Sequence, residues 1–355
     1  MRIGLLSYPL LFQRDAALQR QMRETTRALY ALRQEHGFEL EVELVEPSPA
    51  HIARFDLIHV FSTGGGNHGI VQAAAALGVP VVLSALISTG WDRACGQQAR
   101  LADHRLGRHS AWAHQSSYAQ TRQALQLASV VVALGASERR AIEEGFLIEP
   151  AKLRVVANGV NARLFDADGE LFRQRTGMHG PFVLMTGPIS PYRNQLGMAE
   201  ALAELALPFV LLGEARERDQ DYLRQVRAVR GVTCLGDLKE DAPLLASAYA
   251  AASVLVLATQ GDSCIGGVFD ALAAGTPAVL GAAGVVDLPD SAFALRQVAW
   301  DDSAAQQNAV LELLAAPPPR ERVRALVRPY TWERAARQLA ACYLGELDRR
   351  CALPA

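Results

Sequence analysis

Two nearly identical apolar runs, ASVVVAL at 128–134 and ASVLVLA at 252–258, sit at comparable places in the two halves of this 355-residue chain. Each is one of a series of short β-branched runs that alternate with helical segments. Strands that read as continuous hydrophobic runs are buried on both faces, and strands alternating with helices build parallel sheets covered by helices. The first half offers RIGLLSY (2–8), FELEVELV (38–45), FDLIHVF (55–61), VPVVLS (79–84) and ASVVVAL, with helices over about 15–35 and 68–77. The second offers PFVLMTG (181–187), PFVLLG (208–213), VTCLG (232–236), ASVLVLA and TPAVLG (276–281). The echo between the halves is open to two readings, internal duplication or the shared chemistry of buried strands.

The alternation predicts two doubly wound α/β domains. Polar residues replace apolar ones near 166–180, which puts the boundaries at 1–165, 166–330 and a closing helix over 331–355. That helix carries Trp332, Ala336, Leu339, Tyr343 and Leu347 on one stripe, suited to packing back on the first domain. The stretch from Trp91 to Gln126 reads as a solvated loop and helix. A net charge of −2 gives no global signature of nucleic-acid binding. Five cysteines, scattered and without CxxC spacing, argue for a reduced cytoplasmic chain rather than a disulfide framework or zinc site. No apolar run reaches the roughly 18 residues that a membrane span needs.

The chemistry concentrates in QGDSCIGGVFDALAAGTPAVL, residues 260–280. In open α/β sheets ligands sit beyond the carboxyl ends of strands, where a helix N-terminus offers unpaired N–H groups to a phosphate. Gly266 and Gly267 leave the backbone bare for such an approach. Asp262 and Asp270 repel phosphate but accept hydrogen bonds from sugar and ribose hydroxyls. Their common partner is a nucleotide sugar. The same residues would also serve as turn formers and an ordinary helix charge.

The stretch resembles the acidic signature of the group 1 (family four) retaining glycosyltransferases, whose fold is GT-B. There two glutamates eight residues apart flank a glycine-containing loop ahead of EAxAxG.PVV; here Asp262 and Asp270 hold those places. Residues 128–165, ending in NGVNARLF, are similar to the family's crossing into its second domain, and VLMTGPISPYRNQLGMAEALAEL (183–205) to its GR…KN segment. YTWERAARQLAACYLGEL resembles its closing helix. The resemblance implies two Rossmann-like domains facing a cleft, and a metal-independent transfer of a hexosyl or related sugar to a hydroxyl acceptor. It assigns Arg193 and Asp262 to catalysis. Asp270, Gly266, Gly267, Ser263 and Gly187 would bind the donor, and Gly65, Asn67 and His68 would line the acceptor side. No cofactor is expected beyond the donor itself.

The departures leave alternatives open. Both glutamates are shortened to aspartates, Ile265 stands where the family has glycine, Pro188 replaces an arginine, and Arg193 replaces a lysine. The glycine pair after the first strand is absent, which leaves STGGGNH (62–68) to supply that wall. A GT-B subunit that binds donor without turnover, or a sugar-nucleotide epimerase, remains compatible. Arg20, Arg23 and Arg27 share a face of the first helix, away from Leu18, Met22, Leu29 and Leu32; it is either a solvated face or a contact for the inner membrane surface.

Overall fold

The computed structural model describes residues 1–7, 16–36, 41–45, 48–109, 115–238, 242–258, 266–281 and 287–352. The chain divides into two compact units, one formed by Met1–Gly159 with Tyr330–Ala355 and the other by Val160–Pro329.

The first unit holds six strands, β1 (Arg2–Leu6), β2 (Glu41–Leu44), β3 (Leu57–Phe61), β4 (Val81–Ser84), β5 (Val130–Ala133) and β6 (Leu153–Val155). They lie in the order β2-β1-β3-β4-β5-β6, parallel throughout. The pleat sorts β3 between two cores. Ile58 and Val60 join one with Leu83 and Val131, while Leu57 and Phe61 join the other with Leu339, Ala340 and Tyr343 of the helix Trp332–Ala352. That helix packs on the helix Ala16–His36, whose Leu18, Met22, Leu29 and Leu32 are buried.

Facing the second of these cores is a polar trio. His59 is fully buried, with Nδ1 2.7 Å from Tyr343 Oη and Nε2 2.8 Å from Ser84 Oγ. Burial pushes the His59 imidazole down to about 3 and raises the Tyr343 phenol.

The second unit repeats the design with a different order. Its strands are β7 (Val183–Thr186), β8 (Phe209–Leu212), β9 (Val232–Cys234), β10 (Val254–Leu257), β11 (Ala278–Gly281) and β12 (Leu295–Val298). They pair in parallel as β12-β11-β10-β7-β8-β9. From β7 the chain builds outward through β8 and β9 on one side, then returns to build through β10, β11 and β12 on the other. The switch point is therefore the gap between the carboxyl ends of β7 and β10.

Two expectations change. The edge strands β6 and β12 did not stand out as apolar runs, because LRV and LRQV each bury only their leading leucine. The stretch after Trp91 is more regular than expected, with helices Arg93–His109 and Ser117–Leu127. No helix among the described residues is long and apolar enough to cross a membrane.

Candidate functional site

At the carboxyl end of β7 the chain enters Gly187 with φ +107°. Its N–H donates to Leu212 O at 2.8 Å, and a Cβ there would stand 2.8 Å from Arg193 Nη1. The next strand presses close from beside it. A Cβ on Gly213, whose φ is +158°, would lie 1.9 Å from Gly187 O. Two bare backbones therefore lie against each other: a side chain at Gly213 would drive the loops apart, and one at Gly187 would displace the Arg193 guanidinium.

Arg193 closes the short turn Pro191–Arg193, and its Nη1 donates to Thr186 O at 3.4 Å. The turn is fastened from both sides. Gln195, 1 % exposed, donates from Nε2 to Pro188 O (2.9 Å) and accepts the Ser190 N–H at Oε1 (3.3 Å). Asn194 adopts the left-handed conformation and donates to Trp300 O at 3.1 Å.

Thr186 ties this loop to the far side of the switch point. Its Oγ1 lies 3.2 Å from Tyr249 Oη, and a Cβ on Gly267 would meet these two oxygens at 3.3 and 3.4 Å. The N-terminal turn of the helix Gly266–Ala273 is thus seated on the end of β7. Gly187, Arg193, Gly266 and Gly267 come together as one group. Asp270 is the fifth residue of the helix, one turn inward, and only 4 % exposed. Asp262 and Ser263 lie outside the described residues. Thr186, Gln195 and Tyr249 were not singled out in the sequence, since a buried hydroxyl or amide leaves no periodic signal.

The first unit's glycine segment sits at its own switch point, beyond β3. Ser62, Gly65 and Gly66 all have positive φ, at 74°, 63° and 88°. Asn67 opens the helix Asn67–Ala76 but is fully buried. Its Nδ2 donates to Phe61 O and Ser62 O, both at 2.8 Å, and Ser7 Oγ also donates to Phe61 O at 2.8 Å. Asn67 therefore holds the turn's shape. His68 is half-buried beside it. Nearby, the buried Glu138 carboxylate accepts the N–H groups of Ile87 and Leu134, each at 2.7 Å, and so joins the loops after β4 and β5.

Residues 16–159 match the family model of the glycosyl transferase 4-like domain, and residues 180–316 match that of the glycosyl transferases group 1. The chain belongs to the group 1 glycosyltransferases of the GT-B fold. No curated protein matches its sequence. Among solved structures this glycosyltransferase is similar to Anabaena HepE in complex with UDP, at 17 % identity and a TM-score of 0.71 over 97 % of this chain and 100 % of that one. Sucrose-phosphate synthase of Thermosynechococcus elongatus aligns at 19 % identity and a TM-score of 0.61, over 94 % and 79 % of the two chains. UDP-GlcNAc 2-epimerase of Neisseria meningitidis, bound to UDP-GlcNAc, aligns at 13 % and 0.57, over 97 % and 100 %. At such identities these likenesses speak for the fold alone.

Proposed function

We propose that this glycosyltransferase moves a hexosyl or related sugar from a nucleotide-sugar donor to a hydroxyl acceptor, with retention, in polysaccharide or glycoconjugate synthesis. One observation carries the reading. A guanidinium, bare glycine backbone and a helix N-terminus meet at the switch point of the second unit. That combination suits a leaving diphosphate: Arg193 forks to its oxygens, the helix N–H groups hold the rest, and no divalent cation is required. UDP in the HepE structure supports a nucleoside diphosphate here.

In this reading Gly187 and Ser263 face the phosphates, Asp262 accepts hydrogen bonds from the donor sugar's hydroxyls, and Asp270 from the ribose. The acceptor oxygen attacks the anomeric carbon on the face from which the diphosphate departs. The new C–O bond forms as the C–O bond to phosphate breaks, and the acceptor proton passes to the leaving phosphate oxygen. Gly65 and His68 line the acceptor side, with Asn67 supporting them. The enzyme works in the cytoplasm, where the basic face of the first helix offers a contact to an anionic leaflet and so to a lipid-linked acceptor.

A second reading, a subunit that binds donor without turning it over, is favoured by Pro188, which stands where the family has an arginine. Donor consumption decides. After a thermal-shift screen picks the nucleotide sugar, transferase action predicts consumption only with a hydroxyl acceptor, and unchanged turnover in EDTA. Consumption without acceptor would make the protein an epimerase or hydrolase, and binding without consumption would favour the subunit. A strict need for Mn²⁺ or Mg²⁺ would make Asp262 or Asp270 a metal ligand instead.

A further inference from the structure

The amino ends of the second sheet's central strands gather three guanidiniums. The helices Pro243–Ala251 and Gly266–Ala273 both end there, each leading into the start of a strand. Arg320 donates to Ala250 O at 2.6 Å, to Ala252 O at 3.4 Å and to Ala274 O at 3.5 Å. Arg324 reaches the same Ala274 O at 3.4 Å and Ala167 O at 3.4 Å. A Cβ on Gly169 would stand 2.7 Å from Ala251 Cα and 2.9 Å from Arg173 Nη1, which brings the third guanidinium to the same helix end. Desolvation first, then the charges of Arg324 and Arg173, push the Arg320 pKa down.

Among the described residues one carboxylate, Glu321, is ion-paired with one of the three cations. Each helix end contributes about half a negative charge. Glu321 pairs with Arg324 but is shared with Arg328 at 3.4 Å. Asp168 accepts the Glu170 N–H and Glu170 accepts from Gln174, and neither carboxylate forms an ion pair with Arg173, Arg320 or Arg324. Among the described residues Arg173 makes no ion pair or side-chain hydrogen bond, and Arg324 Nε is buried without an acceptor. Three guanidiniums held together against their repulsion, with the Arg173 donors not engaged, form a receptor for an oxyanion.

We propose that Arg173, Arg320 and Arg324 form a second anion site that takes a phosphate group, separate from the residues assigned to the donor. A free phosphate and a lipid headgroup present the same oxygens, so the test carries both. Thermal unfolding and equilibrium binding are followed with inorganic phosphate, and co-sedimentation with phosphatidylglycerol and phosphatidylcholine vesicles, for wild type, Arg173→Ala and Arg193→Ala. Arg173 is chosen because it holds no partner whose loss would disturb packing. Arg173→Lys, keeping charge without the fork, gives a second, milder variant should the first fail to fold.

Phosphate should stabilise wild type and Arg193→Ala alike, and Arg173→Ala should bind it about tenfold more weakly or worse. Binding to phosphatidylglycerol vesicles alone, lost in Arg173→Ala, would assign the site to a lipid headgroup. Equal responses in wild type and Arg173→Ala overturn the proposal. So does a phosphate response lost only in Arg193→Ala, which would place the anion in the donor site; a donor reading that fails leaves the Arg173 result untouched.

Discussion

The two units share an all-parallel sheet covered by helices, and each braces a switch-point loop with a buried amide, Asn67 in the first and Gln195 in the second, yet the second lays a guanidinium beside its bare glycine. In the first, buried side chains shape the loops: Asn67 and Ser7 bond to the backbone at the end of β3, and Glu138 binds two amides. In the second, the loops meet backbone to backbone through Gly187 and Gly213, with Arg193 laid over the bare turn. Buried polar bonds fix a loop's shape and leave few groups for a ligand. Bare glycine backbone beside a guanidinium leaves the groups exposed to approach, which is why the donor reading falls on the second unit.

The sharpest contrast in stability lies in the first unit's core. The folded chain refuses a proton at His59 until about pH 3, whereas the unfolded chain accepts one near 6.5. The stability this histidine contributes is complete above about pH 6.5 and is lost progressively as pH falls toward 3. The expected loss amounts to several kcal/mol at the acid end. Denaturant titrations across that range should show it, and His59→Gln should flatten the His59 part of the slope. An unchanged slope in the variant would mean that His59 already carries a charge in the fold.

Arg193→Ala should lower turnover by about 10²-fold or more while leaving the melting temperature within a few degrees of wild type. Normal turnover would move the phosphate clamp elsewhere, with Arg216 and Arg218, which follow the carboxyl end of β8, the next candidates. Asn67→Ala should do the reverse. It removes the side-chain donor to Ser62 O and one of the two to Phe61 O, costs about 1–3 kcal/mol of stability, and leaves nucleotide affinity unchanged. Equal effects of the two substitutions on nucleotide affinity would erase the contrast between the switch points.

Most of this architecture was legible in the sequence because buried parallel strands cannot hide their apolar runs. Ten of the twelve strands lie in runs that the sequence marks, the exposed edge strand β2 through its alternation rather than through a buried apolar run. The two that do not, β6 and β12, are sheet edges, where half-exposed positions admit arginine and glutamine and the run dissolves. The proposed site was legible where its chemistry needs a particular residue in a particular place: a glycine pair opening a helix, an arginine closing a turn. Its supports were not. Nothing in the sequence marks Gln195 as the strut under the Arg193 turn, or Thr186 and Tyr249 as the seat of Gly267, because each acts through contacts between residues far apart in the chain. Strand order was also beyond reach, since a parallel pattern does not say which strand pairs with which.

The central claim is that the second unit's switch point receives the nucleotide. Hydrogen exchange on the full chain, with and without a nucleoside diphosphate, tests it most directly. Protection should concentrate in the peptides covering residues 186–195 and 266–273, with the segment from 58 to 91 unchanged. Protection confined to 58–91 would contradict the account and make the first unit the nucleotide-binding half.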